Sequence, residues 1–281
     1  MPTWVLRLAW ALWKDVMYED ALGLVAWKSK TNQCEGDWML ESIKNHVRLA
    51  QFITGPLALV TNPVYIARSG LLRSIRLMAP EIGGRVMDVG CGTKPYEKLF
   101  SRATEYVGVD LAVSGHDHHD SKVDVFYDGK TLPFPSQSFD AVVCFQVLEH
   151  VFNIDELIVE MRRVLKPGGL LLVSLPLTWD EHEIPYDFAR YTSFGIKHIL
   201  SKHHFSVLKL EKTTTYLLTV FQMLIAYLHQ HVIPKQKLLR ALCQLGIIFP
   251  ITLCAIGLNK IFPKRYDLFC DSVVLSRNQL D

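Results

Sequence analysis

Two parts of this chain place reactive side chains beside backbone that can turn sharply. The first is Asp88-Val89-Gly90-Cys91-Gly92, an apolar run that ends in a two-glycine turn. A ligand can approach the main-chain amides of such a turn with no Cβ in the way. Tyr106-Val107-Gly108-Val109-Asp110 is a second apolar run ending in an acid, about 20 residues after Gly90. A carboxylate placed there can accept hydrogen bonds from both hydroxyls of a ribose. The third glycine that would seat a pyrophosphate on a helix is missing, because Gly92 is followed by Thr93-Lys94-Pro95. Asp88 would also repel a pyrophosphate, and it suits a cationic nucleoside bearing an amino acid.

The second part carries proton-transfer chemistry. His150, in Glu149-His150, and His182, next to Glu183, follow the fourth and fifth predicted strands, at the strand ends where such sheets bind ligands. Either imidazole can take a proton from a hydroxyl near neutral pH. For His150 a structural role is equally open, capping or packing the helix that begins near Asn153. His182 sits in a polar and aromatic loop running to Thr192, where Arg190 either clamps an anionic acceptor group or pairs with Asp187. His116-Asp117-His118-His119-Asp120 contains metal-ligand residue types, but its compact spacing reads as a solvated loop, and no metal is expected.

The elements that must position these groups begin at about residue 81. Short apolar runs alternate with helical patterns from Arg85 onward, the signature of βαβ units and a mostly parallel sheet. Strands are expected near 85–89, 105–109, 122–126, 139–145, 169–175, 205–211 and 268–276, with helices near 95–102, 153–165 and 193–202. Lys166-Pro167-Gly168-Gly169 ends one helix and turns the chain into Leu170–Leu175. The expected fold is therefore α/β, a Rossmann-like seven-stranded sheet in a domain at 81–281. Residues 1–80 read as a helical N-terminal extension, and an apolar helical insertion at about 213–262 precedes the last strand.

With these motifs in order, the sequence resembles the class I S-adenosylmethionine-dependent methyltransferases, in particular the type 11-like group that includes quinone-ring methyltransferases. The resemblance runs from about Gly84 to Glu211. It is carried by Asp88–Gly92, Val109-Asp110, Asp128-Gly129 through Pro135, Ser138-Phe139-Asp140, Leu148-Glu149-His150-Val151 and Leu165–Gly169. It implies S-adenosyl-L-methionine as cofactor, with Cys91 in the binding turn and Asp88, Gly90 and Gly92 around the methionine portion. It further implies Asp110 and Leu111 at the ribose, Asp128 and Gly129 at the adenine, and Phe145 and Gln146 on the reacting side. His182 to Thr192 is similar to a segment of bacterial methyltransferases in envelope and surface-glycan pathways.

Composition bounds the partners. The net charge of +2, from 30 basic and 28 acidic residues, is too balanced for a protein that tracks a phosphate backbone, so nucleic acid is not expected. Six scattered cysteines with no C-x-x-C pair read as reduced thiols in a cytosolic setting. A mean hydropathy of +0.16 is high for an enzyme core alone. Tyr216–Ile233 lacks any Asp, Glu, Lys or Arg, and Leu238–Leu258 holds only Arg240, with Pro250 expected to interrupt it. A hairpin dipping into one leaflet accounts for this, its basic residues meeting anionic headgroups on the inner face of the membrane. A homodimer surface or an extra core layer accounts for it as well. The expected activity is methyl transfer to a small-molecule or lipid-linked acceptor, with a quinone ring or a noncatalytic membrane-bound role as rivals.

Overall fold

A computed structural model describes residues 55–111 and 121–279. Residues 1–54 of the expected N-terminal extension, and the His116–Asp120 cluster, lie outside the described residues. The chain divides into two units, one of Ile66–Val220 with Leu258–Asp281 and one of Met1–Tyr65 with Phe221–Gly257.

The larger unit is built on the apolar runs. A strand buried on both faces reads as a nearly continuous apolar stretch, and Val86, Met87 and Val89 of β1 (Gly83–Val89) are fully buried. β1 pairs in parallel with β2 (Arg102–Leu111) on one side and β4 (Phe139–Phe145) on the other. β3 (Val125–Tyr127) extends the β2 side, and β5 (Leu165–Pro176) the β4 side. β7 (Asp271–Asn278) runs antiparallel between β5 and β6 (Phe205–Lys212), giving the order β3-β2-β1-β4-β5-β7-β6. The chain reverses its direction of travel across the sheet between β1 and β4. The carboxyl ends of those strands flank the crevice where such folds bind ligands.

Before β1 come α1 (Pro56–Thr61) and α2 (Tyr65–Met78). α3 (Ile154–Val164) buries Ile154, Leu157, Ile158, Met161 and Val164, the stripe that helical periodicity prescribes. Its acidic first turn and basic last turn both complement the helix dipole. Arg163 of α3 pairs with Glu160 at 2.8 Å and donates to the carbonyls of Leu132 and Phe134, also at 2.8 Å. This fastens the loop that follows β3. α4 (Ser193–Lys202) is capped by Thr192, whose hydroxyl accepts from the Gly195 amide at 3.1 Å.

Three local expectations change. The helix expected at 95–102 is only a turn of 3₁₀-helix, Glu97–Leu99, because Tyr96 and Phe100 are both buried at its ends and β2 begins at Arg102. β3 is short and starts at Val125 rather than 122, since only Val125–Tyr127 pairs with β2. Pro250 does not interrupt the second apolar segment. α5 (Tyr216–Tyr227) ends in a π-turn, Leu228–Val232, and α6 (Lys237–Ile261) is one 25-residue helix through Pro250. A second π-turn, Gln244–Ile248, precedes the proline, and Gly246 stands where a ring four residues later would crowd the carbonyl.

In the smaller unit, the side chain of Gln222 on α5 donates to the Pro63 carbonyl at 3.0 Å. Gln244 on α6 donates to the carbonyl of Val60 at 3.2 Å. Each glutamine thus satisfies a carbonyl near α1.

Candidate active site

The turn after β1 needs glycine. Gly90 has φ +69°, and a Cβ there would lie 2.3 Å from Cγ2 of Val147. The amides of Gly90 and Cys91 donate to the Val109 carbonyl at 2.8 and 3.2 Å, locking the turn to β2. The Gly92 amide donates to Asp110 Oδ2 at 3.0 Å, and the Leu111 amide donates to Asp110 Oδ1 at 2.8 Å. Each oxygen of Asp110 keeps a second lone pair for a ligand hydroxyl. Asp88 is buried at the end of β1 and accepts from the Tyr106 hydroxyl at 2.7 Å. Burial raises its pKa to about 7, with the Tyr106 hydrogen bond and Lys94 opposing. Above Gly92 there is open space where a Cβ would point. A glycine turn with open space above Gly92, flanked by two acids, fits a cationic nucleoside with an amino-acid tail.

Sequence reasoning missed the support beneath this turn. Lys94, buried and at φ 51°, pairs its ammonium with Asp124, which also accepts from the Gly108 amide at 2.7 Å. The lysine stem occupies the space a side chain at 108 would fill. A lysine immediately after a glycine turn was the available signal.

Asp128 and Gly129 follow β3. Asp128 is exposed, and its Oδ1 accepts from the amides of Lys130 and Thr131 at 2.9 and 3.1 Å, an Asx turn. Phe145 ends β4 against Tyr96 and Phe100, with ring centroids 5.2 and 6.2 Å away. Gln146 adopts φ 56° and is held by Ser174, its amide donating to the carbonyl at 3.0 Å and its side chain to Oγ at 3.1 Å. All the residues named for the cofactor thus lie at the carboxyl ends of β1 to β4 or in the turns just after them.

The two histidines, 32 positions apart in sequence, meet with ring centroids 4.7 Å apart and planes nearly perpendicular. The amides of Phe188 and Ala189 donate to the Glu149 carbonyl at 2.8 and 3.3 Å, folding the loop after β5 back over the turn after β4. His150 Nδ1 lies 2.7 Å from the Tyr186 carbonyl. His182 Nδ1 lies 3.1 Å from the Asp180 carbonyl and 3.3 Å from Asp187 Oδ2. Arg190 is used internally. It pairs with Asp187 through Nη2 and Oδ2 at 2.7 Å and donates to the carbonyl of Asp180 at 3.0 Å. Its hydrogen bond holds the Asp187 carboxyl well below the usual carboxylate range.

Glu149 is the second functional candidate that the sequence did not single out. Its side chain is wholly buried, and neither carboxylate oxygen has a hydrogen-bond partner among the described residues. Burial pushes its pKa up to about 8, opposed by the nearby Glu149 main-chain amide and then by Arg190. His150 Nε2 lies 3.8 Å from Glu149 Oε1 and 3.7 Å from Glu183 Oε2.

Residues 87–173 match the methyltransferase domain family. The chain carries a class I S-adenosylmethionine-dependent methyltransferase domain. The matched segment of this methyltransferase runs from β1 through β5 and includes the glycine turn, Asp110 and the Glu149-His150 pair. The ubiquinone/menaquinone biosynthesis C-methyltransferase UbiE of Burkholderia mallei is 32% identical over 118 residues, 37% of this chain and 49% of that protein. The chain therefore spans about half the length of the curated relatives it matches. Among solved structures, the [4+2]-cyclase SpnF aligns at 21% identity and TM-score 0.47, covering 76% of this chain and 83% of that one. An S-adenosylmethionine-dependent methyltransferase from Archaeoglobus fulgidus aligns at 16% identity and TM-score 0.47, covering 74% and 93%.

Proposed function

We propose that this methyltransferase moves a methyl group from S-adenosylmethionine to a hydroxyl of a small-molecule or lipid-linked acceptor, such as a glycolipid or a polyprenyl-linked sugar. Bound S-adenosylmethionine supplies an electrophilic methyl group on a sulfonium, so the protein's task is alignment and removal of the acceptor's proton. Asp88 and the Gly90–Gly92 turn hold the amino-acid end, Asp110 and Leu111 the ribose, and Asp128-Gly129 the adenine. Phe145 and Gln146 border the methyl. His150 and His182 are the pair proposed to take the hydroxyl proton, each with Nδ1 beside a backbone carbonyl so that Nε2 carries the lone pair.

The observation that carries a lipid-linked acceptor is the origin of the apolar insertion. α5 leaves directly from the carboxyl end of β6, on the sheet edge that carries the other turns of the site. α6 has a mean hydropathy of 2.1, with 22% of its apolar window buried. Basic residues stand at both ends of α6, Lys235 before it, Lys237 as its first residue, and Lys264 and Arg265 after it. Crossing the bilayer would send one basic end across, so a position along the inner leaflet accords better with this charge pattern. On this reading the enzyme is cytoplasmic and peripheral to the inner face of the membrane.

The test is to label cells with methyl-labelled methionine, comparing the wild-type chain with Asp110→Ala. Label in a lipid or glycan fraction that disappears in the variant is expected. Label confined to quinones would select ring C-methylation, the reading that the UbiE match favours. No protein-dependent label in any fraction would overturn methyl transfer.

A further inference from the structure

The Glu149–His150–His182 cluster has the build of a metal centre. One ligand atom from each residue lies within 4.8 Å of the other two. A first-row ion bound by imidazole and carboxylate sits about 2.0–2.2 Å from each donor atom, so closing this set takes side-chain shifts on the order of 1 Å. The outer contacts are those that ligating histidines use. A carbonyl can only accept, so Tyr186 fixes the proton of His150 on Nδ1 and turns the Nε2 lone pair toward Glu149. The Asp180 carbonyl and the Asp187 carboxylate do the same for His182. Arg190 in turn holds Asp187.

The independent pointer to a ligand is Glu149. A fully buried carboxyl whose oxygens both lack a hydrogen-bond partner costs stability wherever it is not satisfied by something bound. It faces the two imidazoles. Glu183, at φ 54°, also lies 3.7 Å from His150 Nε2.

We infer that Glu149, His150 and His182 bind a divalent first-row transition-metal ion, leaving open coordination positions toward the acceptor. Two imidazoles and one carboxylate favour an ion of the Mn²⁺-to-Zn²⁺ series over Mg²⁺, which prefers oxygen ligands and keeps its waters. The use of the open positions rests on the proposed acceptor hydroxyl, and it changes the histidines' part. Their lone pairs hold the ion, which in turn seats the acceptor oxygen. Binding of the ion itself does not depend on the acceptor's identity.

The experiment is calorimetry on the full chain, stripped with chelator, titrated with Zn²⁺, Mn²⁺ and Mg²⁺ separately and without any acceptor. Binding of one Zn²⁺ or Mn²⁺ is expected, weakened at least about 10-fold by Glu149→Gln and by His182→Ala, with Mg²⁺ weaker than both. Affinity for S-adenosylmethionine is measured on each variant and reports that the fold is kept. His182 lies on a loop, so its variant tests the site even if Glu149→Gln fails to fold. Absence of Zn²⁺ and Mn²⁺ binding, or binding that His182→Ala leaves unchanged, overturns the inference. Because no methyl transfer is read, that failure is distinguishable from failure of the proposed reaction.

Discussion

The two ends of the crevice treat their acids differently. Around the Gly90–Gly92 turn, Asp88 is partnered by Tyr106, Asp110 by the amides of Gly92 and Leu111, and Asp124 by Lys94 and Gly108. Around His150 and His182, the most deeply buried acid, Glu149, has no hydrogen-bond partner among the described residues. Both regions lie on the same edge of one sheet, so the contrast is not between core and surface. A satisfied network is rigid and preformed, whereas an unsatisfied one is paid for by what binds there. The glycine-turn end is therefore satisfied without a ligand, whereas the histidine end keeps one buried acid unsatisfied.

The comparison breaks most readily at Gly90. Gly90→Ala combines a positive φ with a Cβ 2.3 Å from Val147. Cofactor affinity by calorimetry should fall by roughly 100-fold or more, since a preformed turn cannot yield without losing its hydrogen bonds. An affinity within a few-fold of wild type would mean that this end is as adaptable as the other.

A smaller effect is expected from Asp124→Ala, which strands the buried Lys94 ammonium. Because Asp124 is about half exposed, at 48%, water replaces part of what it supplied. The expected loss is about 1–3 kcal/mol in chemical denaturation. No loss would show that the lysine stem, rather than its charge, supports the turn.

The last effect is a pH dependence. The carboxyls of Asp88 and Asp271 are raised by burial to about 7 and about 6, so the folded chain retains protons that the unfolded chain releases above about 4. Their contribution to stability is present below the unfolded pKa and is lost as pH rises through the folded one, between about pH 4 and pH 7. Asp88→Asn should flatten this decline by at most about 4 kcal/mol in the cofactor-free protein, with the Asp271 part remaining. An unchanged slope would remove Asp88 from the titration.

The parallel strands were legible because doubly buried strands leave uninterrupted apolar runs, and the β1–β2 pair because its glycines and acids follow one another closely. β4 at Phe139–Phe145 and α4 at Ser193–Lys202 match their expected bounds. What local pattern could not show was long-range. Lys94 with Asp124, and Glu149 with His182, are joined only by how loops fold over the sheet. Arg190, open between two roles in the sequence, is committed by geometry to Asp187. Pro250 misled because its usual consequence is a break, and a widened turn over Gly246 absorbs it instead.

The antiparallel seventh strand also sets an order of events during synthesis. β6 touches the sheet only through β7, which is made after the whole of α5 and α6. A ribosome making this chain exposes the two apolar helices while one side of the sheet is still open. Until β7 is made the edge of β5 stays unpaired, and that interval is the period in which the nascent chain is most prone to aggregate.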